Sequence, residues 1–269
     1  MILMLGDVHG YFNHVLPIVQ KLKPAAIIFL GDLDLDRPFE QEVADVMKLT
    51  ELYFIHGNHD TDSAEKHDFL FNSSIADRNL HNRVVEIDGL KVAGLGGVFR
   101  EKIWWPKDDA NAASNYDNYE AYIKAEMQAS RWQEIRRQRA LCNDSGTINS
   151  HALVGKRLTH RSTIFYDDWL NLYSQQAEIL VTHEAPCCHP YGFVGLTELA
   201  KGMKVQKTFH GHHHDRLDYS VHNERLGFEA HGVGFMGVSD QNGELIRAGE
   251  FDYMRTSRNM AADYQEEIE

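Results

Sequence analysis

Five short stretches of this 269-residue chain concentrate groups that bind metal ions. They are Asp7 and His9 in "GDVHG", Asp32 in "FLGD", Asn58, His59 and Asp60 in "HGNHD", His183 in "VTHEAP", and His212, His213 and His214 in "FHGHHHD". Carboxylate, amide oxygen and imidazole are the donors that hard and borderline divalent cations take. Each stretch alone has an ordinary explanation: an Asp at a strand end caps a helix, and a lone His is packed or solvated. Their joint presence argues for chemistry. Residues two apart on an extended segment point the same way. On that reading Asp7 and His9 can share an ion, and His212 and His214 face the site while His213 turns away. His210 sits inside the preceding strand. Gly6, Gly10, Gly31, Gly57 and Gly211 permit tight turns beside these groups.

The surrounding pattern must bring the stretches together. "MILML", "AAIIFL" and "ELYFI" read as buried strands separated by the helical spacing of "YFNHVLPIVQKL" and "EQEVADVMKL". That βαβαβ order implies a parallel sheet with helices packed on it, and ligands of such sheets lie at the carboxyl ends of the strands. "RVVEIDGLKVAGLGG" reads as a hairpin turning at Asp88-Gly89. "NYDNYEAYIKAEMQASRWQEIRRQRAL" predicts one long helix, with Tyr116, Tyr119, Ile123 and Met127 on an apolar face. The α/β rhythm then returns through "YDDWLNLYSQQ", "AEILVTHEAP", "LTELAKGM" and "VQKTFHGHHH". "RLDYSVH", "RLGFEAHGVGFMGV" and "LIRAGEF" suggest a mostly antiparallel second sheet.

Composition narrows the class. The formal net charge of −13 opposes general adhesion to a nucleic-acid backbone. No run of 18 apolar residues exists, so no membrane span is expected. The start lacks a basic segment and reads as a buried strand rather than a signal peptide. Three cysteines, Cys142, Cys187 and Cys188, make no disulfide framework, which points to the cytoplasm; Cys187 and Cys188 read as packing residues.

Taken in order, D-x-H, G-D, G-N-H-D, a lone H and G-H-x-H resemble the pattern of the calcineurin-like metallophosphoesterase superfamily, over roughly residues 1–99 and 162–250. The resemblance implies an α/β fold, a two-sheet, four-layer αββα sandwich. It implies two divalent cations, Mn²⁺ first and Fe or Zn next, since this donor set suits all three. It places Asp7, His9 and His214 on one metal and Asn58, His183 and His212 on the other, with Asp32 bridging and His59 as the catalytic histidine. Two cations about 3.5–4 Å apart generate a hydroxide that attacks phosphorus in line and absorb the charge that develops. A protonated His59 can donate to the departing alkoxide. Asp60 can orient that imidazole or hold the loop backbone. The implied substrate is a phosphate ester, mono- or diester, with a nucleotide or nucleic-acid end among the candidates.

Some features depart from the family's protein phosphatases. Their second motif is G-D-x-x-D-R-G, whereas here "GDLDLDRP" puts Arg37 one residue further along. Arg37 is thus either a phosphate clamp or a surface residue pairing with Asp34 or Asp36. Arg37, Arg100 and His189 are the candidate substrate contacts. A Ser/Thr protein phosphatase is the alternative enzyme, and a non-catalytic scaffold binding protein partners the alternative of another class. The sequence divides into a core of residues 1–101 and 162–255, a helical insertion at 102–161 and a peripheral tail at 256–269. From Arg131 to Arg161 seven Lys/Arg face two acidic residues. This stretch reads either as an electrostatic cap over the site or as a solvated or dimer-forming helix face. Trp104, Trp105 and Trp132 could stack a base or bury in the core.

Overall fold

The computed structural model describes residues 1–129 and 154–252. Trp132, Cys142, most of the basic stretch and the tail from 256 lie outside the described residues.

Two five-stranded sheets form the centre. The first has the order β10-β9-β1-β2-β3, from β1 (Ile2–Leu5), β2 (Ala26–Phe29), β3 (Glu51–Phe54), β9 (Val238–Asp240) and β10 (Leu245–Arg247). The second has the order β4-β5-β6-β7-β8, from β4 (Arg83–Ile87), β5 (Leu90–Leu95), β6 (Ile179–Thr182), β7 (Lys207–His210) and β8 (Glu229–Gly232). The three strands of the first motifs pair in parallel, Leu3 with Ile27 and Ile27 with Leu52. β5, β6, β7 and β8 are also mutually parallel.

The four layers follow from side-chain alternation along the strands. Ile2 and Met4 of β1, Ile28 of β2, Val92 of β5, Ile179 and Val181 of β6 and Phe209 of β7 meet in one cluster, so these faces of the two sheets pack together. The intervening residues face outward. Leu3, Leu5, Ile27 and Phe29 pack on α1 (Val15–Leu22), α2 (Phe39–Glu42), α3 (Ala44–Met47) and α4 (Ala64–Phe71). Ala93, Leu95 and Leu180 pack on α5 (Tyr119–Ala129), α7 (Tyr166–Tyr173) and α8 (Val194–Gly202), the short α6 (Lys156–Thr159) contributing Leu158 to the buried set. Both faces of every central strand are therefore buried, which explains why these strands read as unbroken apolar runs. The expected αββα sandwich is the architecture found.

The Asp88-Gly89 hairpin is present, its two turn residues at φ 49° and 80°, the left-handed pair that a two-residue hairpin turn needs. Elsewhere the sequence reading needs correction. "EQEVADVMKL" forms two single-turn helices, α2 and α3, separated at Val43. "RLDYSVH" holds no strand. β8 follows the short α9 (Asn223–Leu226) and runs parallel to β7, while β9 and β10 return to the first sheet as its antiparallel edge. Alternation identifies a strand but not its partner or direction. The apolar face of α5 packs on the second sheet's outer layer, with Tyr122 and Ile123 as its most buried members. Trp104 is fully buried and donates to the Ala112 carbonyl at 2.9 Å, while Trp105 is 38% exposed and packs edge-on against Phe193.

Candidate metal centre

Parallel pairing carries the carboxyl ends of β1, β2, β3, β6 and β7 to one edge of the sandwich, and the five polar stretches follow those ends. Two clusters result. One atom each from Asp7, His9, Asp32 and His214 lie mutually within 4.8 Å, as do atoms of Asp32, His183 and His212. Asp32 belongs to both.

The geometry suits cations. In the first cluster the Nε2 atoms of His9 and His214 stand 3.1 Å apart, and His214 Nε2 is 3.1 Å from Asp7 Oδ2. Two facing imidazole nitrogens and a carboxylate need a proton or a cation between them. The other Asp7 oxygen, Oδ1, is buried without a hydrogen-bond partner. In the second cluster His183 Nδ1 donates to the Leu30 carbonyl at 2.8 Å. That bond leaves Nε2 of a neutral ring as a lone pair, 3.2 Å from Asn58 Oδ1 and 3.3 Å from Asp32 Oδ2. Three acceptors converging beside the buried His183 and Asp32 fit a bound cation. The backbone bond to Leu30 is the kind of outer contact that fixes a ligand's tautomer.

The charge balance agrees. Burial opposes a charge on His183, yet Asp32 and Asp7 push its pKa up to about 10. Burial would likewise raise Asp32, but the His183 charge and hydrogen bond, together with the His59 backbone N–H, hold it well below the usual carboxylate range. Burial and the neighbouring His183 charge push His212 down to about 3, leaving it a neutral donor. A metal in the second cluster would take the place of the His183 proton.

The loops are not extended. His9, Asp32, His212 and His214 all have positive φ, 42°, 48°, 65° and 58°. Tight left-handed turns, not the pleated segment expected from sequence, aim His212 and His214, and they aim them at different clusters. Such backbone states are uncommon outside glycine and concentrate at functional sites. Gly211 is required here because a Cβ would collide with Asp7 Oδ1, and Gly31, at φ 104°, because one would collide with the His183 ring.

The model of the calcineurin-like phosphoesterase family matches residues 1–216. The chain belongs to that family. It is similar to an uncharacterised protein of Haemophilus influenzae, 36% identical over 246 residues that cover 91% of this chain and 96% of the relative. Among solved structures it is similar to the crystal structure of TT1561 of Thermus thermophilus, at 15% identity and TM-score 0.47, covering 92% of this chain and 98% of that one. Family membership makes the protein a hydrolase of phosphate esters with an Asp/His site for divalent metal. Among the described residues no helix is long and apolar enough to cross a membrane.

Around the phosphoesterase's two clusters the remaining candidates separate. His59 lies beside the first cluster, its ring 5.3 Å from that of His9 and 47% exposed. Its Nδ1 is 2.7 Å from Asp62 Oδ2, three residues along a 3₁₀ turn. Burial lowers the His59 pKa, but the Asp62 bond and the Asp32 charge outweigh it, so the net shift is upward. Asp62 was not picked out from sequence; its spacing from His59 was the available signal. Asp60, read as a catalytic candidate, does not touch the imidazole. It is buried and accepts the backbone N–H groups of Leu33 (2.8 Å), Asp34 (3.0 Å) and Gly57 (2.8 Å), so it ties the loop after β2 to the loop after β3. Burial and the Asp32 charge raise its pKa to about 7 against the Gly57 and Asp34 bonds and the His183 charge.

Arg37 is 60% exposed and paired with Glu42, not with Asp34 or Asp36, and the structure does not bring it to the clusters. The cation that takes Asp34 is Lys66. His189, a candidate substrate contact, is buried: its ring stacks on His213 at 3.8 Å, Nδ1 accepts from the Tyr191 N–H, and Nε2 is 3.5 Å from Asp215. His213 does turn away from the clusters, with Nε2 3.8 Å from Glu184. His210 ends β7, fully buried and bonded to the Tyr219 hydroxyl at 3.1 Å. Cys188 packs in the outer core. Glu184, next to His183, is a buried carboxyl that sequence reading passed over. Burial pushes it up to about 7, opposed by His183, the Phe99 N–H, Lys107 and Arg100.

Proposed function

We propose that the protein hydrolyses a phosphate ester with two divalent cations held side by side. Asp7, His9 and His214 would hold one, Asn58, His183 and His212 the other, and Asp32 both; Mn²⁺ is the first candidate. The observation that carries this reading is the sharing of Asp32 between two donor clusters built on separate strand ends. Bound there, the cations would activate a water for attack on phosphorus and offset charge on the phosphoryl oxygens. His59 supplies the proton that the leaving oxygen needs, and Asp62 orients the ring and favours its charged form. Asp60 holds the loops that carry Asp32 and Asn58 in register. The segment 102–161 is read as an insertion between the two halves of the core. The exposed pairing of the displaced Arg37 with Glu42 supports this reading over a Ser/Thr protein phosphatase.

The test is metal analysis of the purified protein, together with hydrolysis of bis(p-nitrophenyl) phosphate and p-nitrophenyl phosphate with and without Mn²⁺, Fe²⁺ or Zn²⁺. Metal-dependent turnover with close to two ions per chain is expected. Absence of turnover with every metal, in a protein that binds them, would leave the scaffold reading standing.

A further inference from the structure

Several lysines and arginines of this acidic chain have a carboxylate partner: Lys66 has Asp34, Lys102 has Glu126, Lys207 has Glu229 and Arg78 has Glu51. Arg100 and Lys107 differ. Both are partly buried, and among the described residues neither is in an ion pair. Arg100 uses Nε to donate to the Thr163 hydroxyl at 3.0 Å, which leaves the terminal nitrogens of its guanidinium uncommitted. The Lys107 ammonium stands 4.9 Å over the Phe193 ring. Covering a cation without pairing it costs solvation free energy, and burial accordingly lowers the pKa of both groups.

Their position gives the arrangement a purpose. The Arg100 charge acts on two carboxylates that contact residues of the metal centre, Glu184 and Asp62. Glu184 lies 3.9 Å from His212 Nε2, and Asp62 holds His59. Lys107 acts on Glu184 as well. The loop that bears them is pinned. The Arg100 carbonyl accepts from the N–H groups of Ile103 (2.8 Å) and Trp104 (3.0 Å), Trp104 is fully buried, and the Lys107 carbonyl accepts from Val194 (3.0 Å). The loop follows β5, whose last residue Leu95 lies opposite Thr182, next to His183, so it leaves the same edge of the sandwich as the metal-site loops; it carries two cations without an ion pair among the described residues, one a planar fork suited to phosphate and one a point charge.

We propose that Arg100 and Lys107 form a second anion subsite, which selects phosphate esters carrying a further phosphoryl group beyond the one that is hydrolysed. This rests on the phosphoesterase reading above. The metal centre binds the phosphoryl group under attack; the guanidinium and ammonium bind the other and fix which ester oxygen faces His59.

The test uses the full-length protein loaded with Mn²⁺ and compares kcat/KM within two pairs: adenosine 3′,5′-bisphosphate against adenosine 3′-monophosphate, and fructose 1,6-bisphosphate against fructose 6-phosphate. Bis(p-nitrophenyl) phosphate serves as the reference. A preference for the doubly phosphorylated member of at least one pair is expected, roughly tenfold or more, from one to two charge-assisted contacts. Arg100→Ala and Lys107→Ala should each cut that ratio about tenfold, Arg100→Lys should recover part of it, and added salt should compress it. Should Arg100→Ala fail to fold, Lys107→Gln carries the test, since Lys107 Nζ makes no hydrogen bond to the described residues. An enzyme that turns over the reference ester without preferring either bisphosphate, or variants that keep the wild-type ratio, would overturn the subsite alone. Failure to turn over any of the esters overturns the phosphoesterase reading and the subsite together.

Discussion

Asp60 offers a sharp separation of scaffold from chemistry. Its two oxygens accept three backbone N–H groups, two on the loop that follows Asp32 and one on the glycine before Asn58. Asp60→Ala would strand those donors. Leu33 and Gly57 are buried, while Asp34 is partly open to water, which can replace its bond. An orphaned buried donor costs about 1–3 kcal/mol, so the loss should be about 3–5 kcal/mol, or a fall of about 6–20 °C in Tm for a chain of this size. Asp60→Asn keeps an oxygen for Leu33 and Asp34 but turns an NH₂ toward the Gly57 N–H, so about 1–3 kcal/mol is expected. Urea unfolding of the chelator-treated protein measures this without interference from metal binding, and metal analysis should show that Asp60→Ala no longer retains both ions. A stable, metal-loaded but inactive Asp60→Asn would refute the reasoning, because it would put the carboxyl itself in the reaction.

Three further outcomes are expected. His59→Ala should keep its metal yet lose turnover by about 10²–10⁴-fold, less for nitrophenyl esters than for alkyl esters; an equal loss on both would remove His59 as the proton donor. Metal analysis should find His212→Ala and His214→Ala each depleted and His213→Ala nearly replete, and the reverse order would discredit the two-cluster assignment. Burial, with Arg100 and Lys102 nearby, holds the His160 pKa down to about 4, so the folded state resists its protonation. Its share of stability is intact above about pH 6.5 and declines toward pH 4, by about 3 kcal/mol at most; His160→Gln should flatten the fall of urea midpoint over that window, and an unchanged slope would exclude it.

The sequence revealed the strand ends and the donors because both are local: an apolar run followed by Asp, His or Asn needs no tertiary knowledge. It could not reveal that His9 and His212 occupy left-handed turns, since only neighbouring backbone makes those states tolerable. The pairing of His59 with Asp62 rather than Asp60 depends on the 3₁₀ turn that begins at His59. Arg37 was misleading because a single inserted residue and the short α2 beyond it hand its guanidinium to Glu42. The direction of β8 was hidden because its periodicity is the same whichever way it runs. Arg100 could be suspected from its position, but that it has no counter-ion among the described residues becomes visible only in the folded chain.

Neither sheet supplies a complete donor set. Asp7, His9, Asp32 and Asn58 follow strands of the first sheet, whereas His183, His212 and His214 follow strands of the second, and each cluster draws on both. During synthesis the first hundred residues can collapse into a βα unit while holding only part of either cluster. Neither set of donors closes until the ribosome has delivered the region beyond His214, more than two hundred residues after Asp7. A nascent chain emerging into a mixture of metal ions thus offers only partial chelation, and selection among ions is deferred until both sheets have been made. Once bound, the ions would act as a rivet across the open edge of the sandwich, so apo protein should be trimmed by proteases at that edge well before its buried strands are reached.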